Sequence, residues 1–215
     1  GGRVSVSFAG RTAETTADAG GAWRVELDAQ PASAWGRSMT ISAGGVERML
    51  TDVLVGEVWV CAGQSNMGWP LSSSVGGDVA VQAVADSPTL RLLDPQPTVG
   101  LGRSVWPLDD ALALTPQRYF AVDGWSRGDA GAAGRFSAVG AYFGLYLQEH
   151  IDVPVGLIDV AVGGTPAEAW VPRETILATC ARPSASEAIS PSPTARTCAT
   201  SDFCASRIAQ IRIST

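Results

Sequence analysis

The hydrophobic pattern of this chain changes near residue 52, and that change restricts its fold more than any other feature. Before it, the apolar residues Val4, Val6 and Phe8 alternate with serines, and residues 23–28 alternate in the same way. Alternation with a period of two predicts antiparallel strands that have one buried and one solvated face. Residues 1–52 are therefore predicted to form an N-terminal β-sandwich segment, or the remaining part of one.

Two glycine pairs mark turns within this segment. Gly20-Gly21 precedes the second alternating run, and Gly44-Gly45 lies further along the chain. Glycine adopts positive φ without a steric penalty, as hairpin turns require. Both pairs are therefore predicted to lie in turns between antiparallel strands.

Continuous apolar runs replace the alternation from residue 53 onward. They comprise residues 53–55, 58–61, 90–93 and 155–162. Such runs are typical of strands covered on both faces in a parallel sheet. Between the last two runs, helical spacing predicts a helix with one apolar face, formed by Phe136, Val139, Phe143 and Leu147. A helix between two buried strands is a βαβ unit, so residues 53–177 are predicted to form an α/β domain with a parallel sheet.

Two other segments lack this regular pattern. Residues 95–135 are rich in proline, glycine and tryptophan, which predicts long surface loops. Residues 178–215 form a low-complexity tail, predicted to be disordered or to come from a shifted reading frame. Cys61 lies in an apolar strand, and three further cysteines in the tail have neither metal-ligand spacing nor histidine neighbours. We assign the cysteines no chemistry.

Composition excludes several classes of partner. The formal net charge is -6, and the 15 basic residues are scattered arginines, so no basic stripe is available to bind nucleic acid. No apolar run approaches the roughly 20 residues that span a bilayer, which argues against membrane insertion. No signal peptide is visible, and we expect the true start to be missing. The sequence fixes neither the compartment nor the oligomeric state.

Ser65 is the strongest candidate for a catalytic residue. It lies four residues after a buried strand, in the stretch Gly63-Gln64-Ser65-Asn66-Met67. Such a serine is exposed at the carboxyl edge of the sheet, near backbone N–H groups that stabilise an oxyanion. The stretch differs from the GxSxG elbow because position 67 is Met. From the residue types alone, a serine that only caps a helix is the favoured interpretation of Ser65.

A second loop follows the strand at residues 155–162. Gly163-Gly164 comes directly after it, and a helix start is then predicted, with Thr165 as its cap, Pro166 at its first position and Glu168 three residues after Thr165. Ligands of open α/β sheets bind where a strand ends and a helix begins. The glycines could equally make only a tight turn, and helix capping explains Glu168.

Three ordered stretches resemble the sialate O-acetylesterase family, a carbohydrate-esterase branch of the SGNH hydrolases. Residues 51–67 resemble its nucleophile region, residues 136–144 resemble one of its helices, and residues 153–170 resemble its second motif. The resemblance implies an SGNH-hydrolase-like, flavodoxin-like parallel sheet, here incomplete. It also implies an acetylated sugar as substrate, no metal or organic cofactor, and an extracytoplasmic setting.

By this resemblance Ser65 is the nucleophile, and its N–H forms an oxyanion hole with Gly163 or Gly164. Gly63, Gln64 and Asn66 support the motif. The family's later motifs, which supply an asparagine and the catalytic histidine, are absent from this chain. We therefore expect a truncated and poorly active fragment.

Two other titratable residues could belong to such a site. The single histidine, His150, ends the predicted helix and is expected to lie far from Ser65 in a structural role. Asp159 interrupts an apolar strand and could orient a partner, but a satisfied structural carboxylate is the favoured interpretation, because no histidine is available for it to orient. The alternative function is a non-catalytic carbohydrate-binding or interaction module, in which tryptophans stack on sugars, namely Trp69, Trp106 and Trp125.

Overall fold

A computed structural model describes residues 1–97, 109, 119–172 and 175. The predicted tail, with its three cysteines, lies outside these residues, as does Trp106. The strands are β1 (Arg3–Phe8), β2 (Arg11–Thr16), β3 (Ser33–Ala43), β4 (Val46–Val55), β5 (Glu57–Cys61), β6 (Leu90–Leu93), β7 (Gln96–Pro97), β8 (Phe120–Ala121) and β9 (Val155–Asp159). The helices are α1 (Gly77–Asp86), α2 (Ala130–Arg135) and α3 (Ala138–His150), and 3-10 turns span Leu71–Ser73 and Ala167–Trp170. The chain thus combines a parallel sheet, antiparallel sheets and helices.

The N-terminal part forms a four-stranded antiparallel sheet in the order β2-β1-β3-β4. The predicted alternation of β1 is confirmed, because Val4, Val6 and Phe8 are buried together with Met39 and Ile41 of β3. The hairpin between β3 and β4 turns at Gly44 and Gly45, both with positive φ, as predicted. This sheet has a hydrophobic core of its own.

The predicted strand at residues 23–28 is wrong. No strand lies between β2 and β3, although Trp23, Val25 and Leu27 pack against the core of the sheet from partly buried positions. Their alternation therefore comes from an extended segment that covers the sheet without joining a strand ladder. The described residues form one sheet here instead of the two sheets of the predicted sandwich.

Residues 53–55 also differ from the prediction. They belong to β4, where Val53 pairs with Arg37 and Val55 with Ser33 of β3, so the boundary predicted at residue 52 falls inside a strand. The parallel sheet begins only at β5. Gly56 between the two strands contacts another chain segment, because a methyl group there would lie 2.0 Å from the Pro154 carbonyl oxygen.

The parallel sheet has the order β5-β9-β6, with β9 in the centre. Because β6 and β9 pair in parallel and α3 lies between them in the chain, after β7, β8 and α2, the predicted βαβ unit is confirmed. Val155 and Leu157 of β9 are buried, and β5 is parallel to β9 on the other side. The flavodoxin-like strand order stays a prediction.

Only part of the apolar face predicted for helix α3 is buried: Phe136 is buried and Leu147 packs against the core. Ser137 caps the helix by accepting a hydrogen bond from the Gly140 amide (3.0 Å). The buried face carries the small residues Ala141 and Gly144, whereas Val139 and Phe143 are exposed. Helical spacing identified an apolar stripe, but the close approach of the helix to the sheet leaves no space for a side chain at Gly144.

The region predicted as long loops contains regular structure where it is described. Strands β7 and β8 pair in antiparallel fashion, and α2 contributes the fully buried Ala133 to the core beside the parallel sheet. None of the helices in the described part of the chain is long and apolar enough to cross a membrane.

Asp52 connects the two large sheets. It lies on β4 with a positive φ of 58°, and its Oδ2 accepts hydrogen bonds from Arg91 of β6 (2.8 Å) and from Arg127 (3.0 Å to Nε). Both arginines belong to the part of the chain that surrounds the parallel sheet. Their charges hold the pKa of the Asp52 carboxyl below its usual value, against the opposing effect of desolvation.

Candidate active site at the carboxyl edge of the parallel sheet

The turn after β5 presents Ser65 to solvent. The Gly68 amide donates to the Gln64 carbonyl oxygen at 2.9 Å, which closes a single helical turn around Ser65. Gly63 allows this turn to approach closely, because a methyl group at position 63 would lie 3.0 Å from Met67 Cβ. Ser65 is exposed at the edge where the parallel strands end.

Backbone hydrogen bonds continue past the ends of β5 and β9. The Val160 amide donates to the Cys61 carbonyl at 3.1 Å, and the Val162 amide donates to the Gly63 carbonyl at 2.8 Å. These bonds fix the loop after β9 against the turn that carries Ser65. Local backbone pairing, and not only side-chain packing, therefore determines the geometry of the site.

The two predicted oxyanion glycines occupy different environments. Gly163 lies beside the serine, since a methyl group there would lie 3.8 Å from Ser65 Cβ. Gly164 has a positive φ of 79° and open space around its Cα, so its lack of a side chain serves the turn itself. Of the pair, Gly163 is the glycine next to Ser65.

Gln64 contacts the candidate nucleophile directly. Its side-chain Oε1 accepts one hydrogen bond from the Ser65 amide (2.9 Å) and another from the Ser65 hydroxyl (2.6 Å). Asn66, the third predicted supporting residue, is exposed. The side chain that most affects Ser65 in this conformation is therefore Gln64.

The start of α3 supports the turn, a role that the sequence analysis did not assign. The Ser137 hydroxyl lies 3.4 Å from Met67 Sδ, and the Ala138 amide donates to the Trp69 carbonyl at 2.8 Å. Ser137 is fully buried. A serine just before an apolar helical stretch is a capping signal that could have identified this residue.

Thr165 does not act as the predicted helix cap. Its hydroxyl donates to the Val162 carbonyl (2.7 Å) and accepts from Trp170 Nε1 (2.8 Å). The chain here forms only the 3-10 turn Ala167–Trp170, which contains Glu168. Thr165 thus stabilises the loop that holds Gly163 and does not begin a regular helix.

Asp159 is a buried carboxylate at the end of β9. It accepts a hydrogen bond from the Ala161 amide at 2.9 Å and another from the Ser137 amide, so it joins the glycine loop to the start of α3. Burial raises its pKa to about 6, and the nearby Asp94 carboxylate adds to this rise. Burial likewise raises the pKa of the neighbouring Cys61 thiol to about 11, which leaves that thiol protonated near neutral pH.

His150 lies at the other end of α3. The 13-residue helix separates it from Ser137 by roughly 20 Å at 1.5 Å per residue. Its Nδ1 is 2.7 Å from the Tyr146 carbonyl oxygen, and its ring stacks on that of Tyr146 with 4.0 Å between centroids. The structure therefore does not bring His150 to Ser65.

The tryptophans considered for sugar stacking are separated from one another. Trp69 is half exposed and follows the serine turn, with its indole N–H donating to the Ser73 carbonyl. Trp125 is also half exposed but lies against Gly156, near the start of β9. They therefore lie toward opposite ends of the parallel strands.

Comparison with known proteins agrees with this architecture. No model of a known protein family matches the chain. A mouse sialate O-acetylesterase is 33% identical over 132 residues, which cover 59% of this chain. The human sialate O-acetylesterase is 32% identical over 124 residues, covering 55% of this chain. The chain spans only 22% of the length of each of these relatives.

A solved structure of an esterase also resembles this chain. A carbohydrate acetylesterase from Xanthomonas citri superposes with a TM-score of 0.67 at 32% sequence identity, over 82% of this chain and 37% of the other. Sequence and structure together support a sialate O-acetylesterase-like family for this chain.

Proposed function

We propose that this chain carries the nucleophile of a carbohydrate O-acetyl esterase, and that Ser65 is this nucleophile. The observation that carries the proposal is the contact between Ser65 and Gly163 at the carboxyl edge of the sheet, held by the hydrogen bond from the Val162 amide to the Gly63 carbonyl. The names of the related esterases supply the substrate class, an acetylated sugar.

In the proposed reaction, Ser65 Oγ attacks the acetyl carbonyl while a base removes the hydroxyl proton. The tetrahedral intermediate then expels the sugar oxygen, which takes up that proton. Water hydrolyses the acetyl-enzyme and releases acetate, and Ser65 regains its proton. The negative oxygen of each intermediate would accept hydrogen bonds from the Ser65 and Gly163 amides, each worth on the order of a hundredfold in rate.

Gly163 suits this role because it has no side chain. A methyl group at position 163 would point toward Ser65 Cβ at 3.8 Å, into the space that an acetyl group would occupy. A glycine here keeps the backbone open to the ester oxygen. Gly164 would contribute through the shape of the turn.

Among the described residues, no histidine lies near Ser65 to act as the base of the proposed reaction. His150 is the single histidine of the sequence and lies roughly 20 Å away along α3. Loss of the base from a serine hydrolase lowers kcat by as much as about a millionfold. We therefore propose that the chain by itself hydrolyses acetyl esters very slowly.

A labelling experiment tests the nucleophile. Imidazole is added as an external base, and the chain is treated with a fluorophosphonate, which reacts with activated serines. Intact-mass and peptide analysis is expected to find one adduct, on Ser65, which is lost in Ser65→Ala. Ser72→Ala is the matched control, because Ser72 is an exposed serine outside the site, and its labelling should equal that of the unmodified chain.

Two outcomes would contradict the proposal. An adduct on another serine, or no adduct at all with imidazole present, would remove Ser65 as nucleophile. Rapid Ser65-dependent hydrolysis of p-nitrophenyl acetate without imidazole would instead show that the chain contains its own base.

A further inference from the structure

The side chain of Gln64 accepts hydrogen bonds from both the hydroxyl and the amide of Ser65. Its single carbonyl oxygen accepts from the Ser65 hydroxyl at 2.6 Å and from the Ser65 amide at 2.9 Å. The proposed function needs these same two groups for attack and for oxyanion binding. In this conformation neither group is available to an ester.

Because the side-chain amide of Gln64 is not a base, Ser65 is unreactive in this arrangement, which we call its resting state. A neutral carboxamide accepts a hydrogen bond but does not take the proton at neutral pH. The Ser65 hydroxyl hydrogen therefore points at Gln64 and stays on the serine. The Ser65 amide has one hydrogen, and a bond to Gln64 keeps it from the oxygen of a bound acetyl group.

We propose that Gln64 is a positioning residue that holds Ser65 inactive until its side chain turns away. This inference rests on the proposed function, because it assigns a role to Gln64 in the reaction of Ser65. The bound acetyl oxygen would replace Gln64 Oε1 at the Ser65 amide. The released hydroxyl could then donate to the base.

The structure allows this motion without disturbing the turn. Gln64 is exposed, and its backbone carbonyl is held separately by the Gly68 amide at 2.9 Å. Rotation about the side-chain bonds of Gln64 would therefore leave the backbone of Ser65 in place. Ser65 must break its hydrogen bond to Gln64 before it reacts, and the cost of breaking a neutral hydrogen bond lowers the rate of its reaction by about two- to tenfold.

The variant Gln64→Met tests the inference because methionine has a similar length but lacks the carbonyl acceptor. Gln82→Met is the matched control, since Gln82 lies on α1 and bonds only its helix neighbour Asp86. Two measurements are made on each protein: the ¹⁵N–¹H signal of the Ser65 amide, and the rate of fluorophosphonate labelling at Ser65 with imidazole present.

We expect Gln64→Met to move the Ser65 amide proton upfield and to label about two- to tenfold faster than the unmodified chain. Gln82→Met should change neither value. An unmoved amide signal, or a moved signal with equal or slower labelling, would overturn the inference while Ser65 stays the nucleophile. Absence of labelling at Ser65 in every protein would overturn the proposed function, and the resting-state role of Gln64 with it.

Discussion

The two large sheets of this protein achieve close packing in different ways. In the antiparallel sheet, large side chains at alternating positions fill the core, among them Val6, Phe8 and Met39. In the parallel sheet, glycines let helix α3 approach the strands, so that a methyl group on Gly144 would lie only 2.6 Å from Leu157 Cδ1. The first sheet is packed through large side chains, whereas the second combines large strand side chains such as Leu157 with glycines on the helix.

This difference has consequences for the surface. Helix α3 turns its larger side chains outward, and Tyr146 is 59% exposed. Val60 of β5 is 44% exposed although it lies in a continuous apolar run. The parallel sheet and its helix therefore leave apolar side chains exposed on the outer face of α3 and on β5.

The largest expected effect tests whether the two cores are independent. Leu157→Ala and Met39→Ala each remove a fully buried side chain from a separate core, which costs about 3 kcal/mol of unfolding free energy. Hydrogen exchange followed by mass spectrometry should show faster exchange of β9 in the first variant and of β1 in the second. Equal acceleration of both sheets in both variants would mean that they unfold as one unit.

A second expected effect belongs to the parallel sheet alone and depends on pH. Asp159 has a folded-state pKa of about 6, above that of an unfolded aspartate, so the folded chain binds a proton more tightly. The contribution of Asp159 to the unfolding free energy is therefore fully present below about pH 4 and is lost as the pH rises through about 6. The total loss is about 2 to 3 kcal/mol.

The variant Asp159→Asn should remove this dependence, as measured by urea unfolding at pH 4.5 and pH 8. Asparagine cannot ionise, so this position of the variant loses no stability as the pH rises, and the variant is expected to gain stability relative to the unmodified chain between pH 4.5 and pH 8. Asp94 also has a raised pKa through burial, opposed by Arg135, and keeps its own titration in both proteins. Parallel stability curves for the two proteins would refute the assignment to Asp159.

The smallest of these effects compares two buried helical glycines. Gly144→Ala adds a methyl group 2.6 Å from Leu157 Cδ1 and should lower the unfolding free energy by about 1.5 kcal/mol. At Gly134 of α2, the corresponding methyl group would lie 3.6 Å from Ser72 Cβ, an ordinary contact. Gly134→Ala should therefore be neutral or slightly stabilising in thermal unfolding. If the two variants lose equal unfolding free energy, the close approach of Gly144 to the sheet is not what restricts the side chains of α3.

Sequence patterns predicted the parts of the fold that depend on local periodicity. The strand at residues 90–93 and the βαβ unit were identified because continuous apolar runs flank a helical repeat. The turn at Gly44-Gly45 was identified because positive φ has a strong residue preference. The individual strands, the helix and the turn are each determined by residues close together in the chain.

Features that depend on contacts between distant residues were missed. Helical spacing marked Val139 and Phe143 as buried, but both are exposed, and Gly144 is the helix residue that lies against Leu157 of the sheet. The segment at residues 23–28 alternates because it covers a sheet, and alternation alone does not reveal whether a strand ladder forms.

In the candidate site, sequence reasoning named Ser65 and the glycine pair but did not separate Gly163 from Gly164. That distinction follows from the pairing of the loops after β5 and β9, which a single sequence does not specify. The contact of Gln64 with Ser65 depends on a side-chain rotamer and was likewise inaccessible.

The hydrogen bond from the Val162 amide to the Gly63 carbonyl joins two loops through their backbones. The geometry of the site therefore depends more on the length of these loops than on the identity of their side chains. Residues 160–162 contribute backbone groups to the pairing, so substitutions there can preserve the spacing between the two loops. One inserted residue between Asp159 and Gly163 would advance the chain by about 3.3 Å or more. That is nearly the whole distance separating a Gly163 substituent from Ser65 Cβ. Evolution of this site is therefore expected to tolerate many replacements in the loop but few changes in its length.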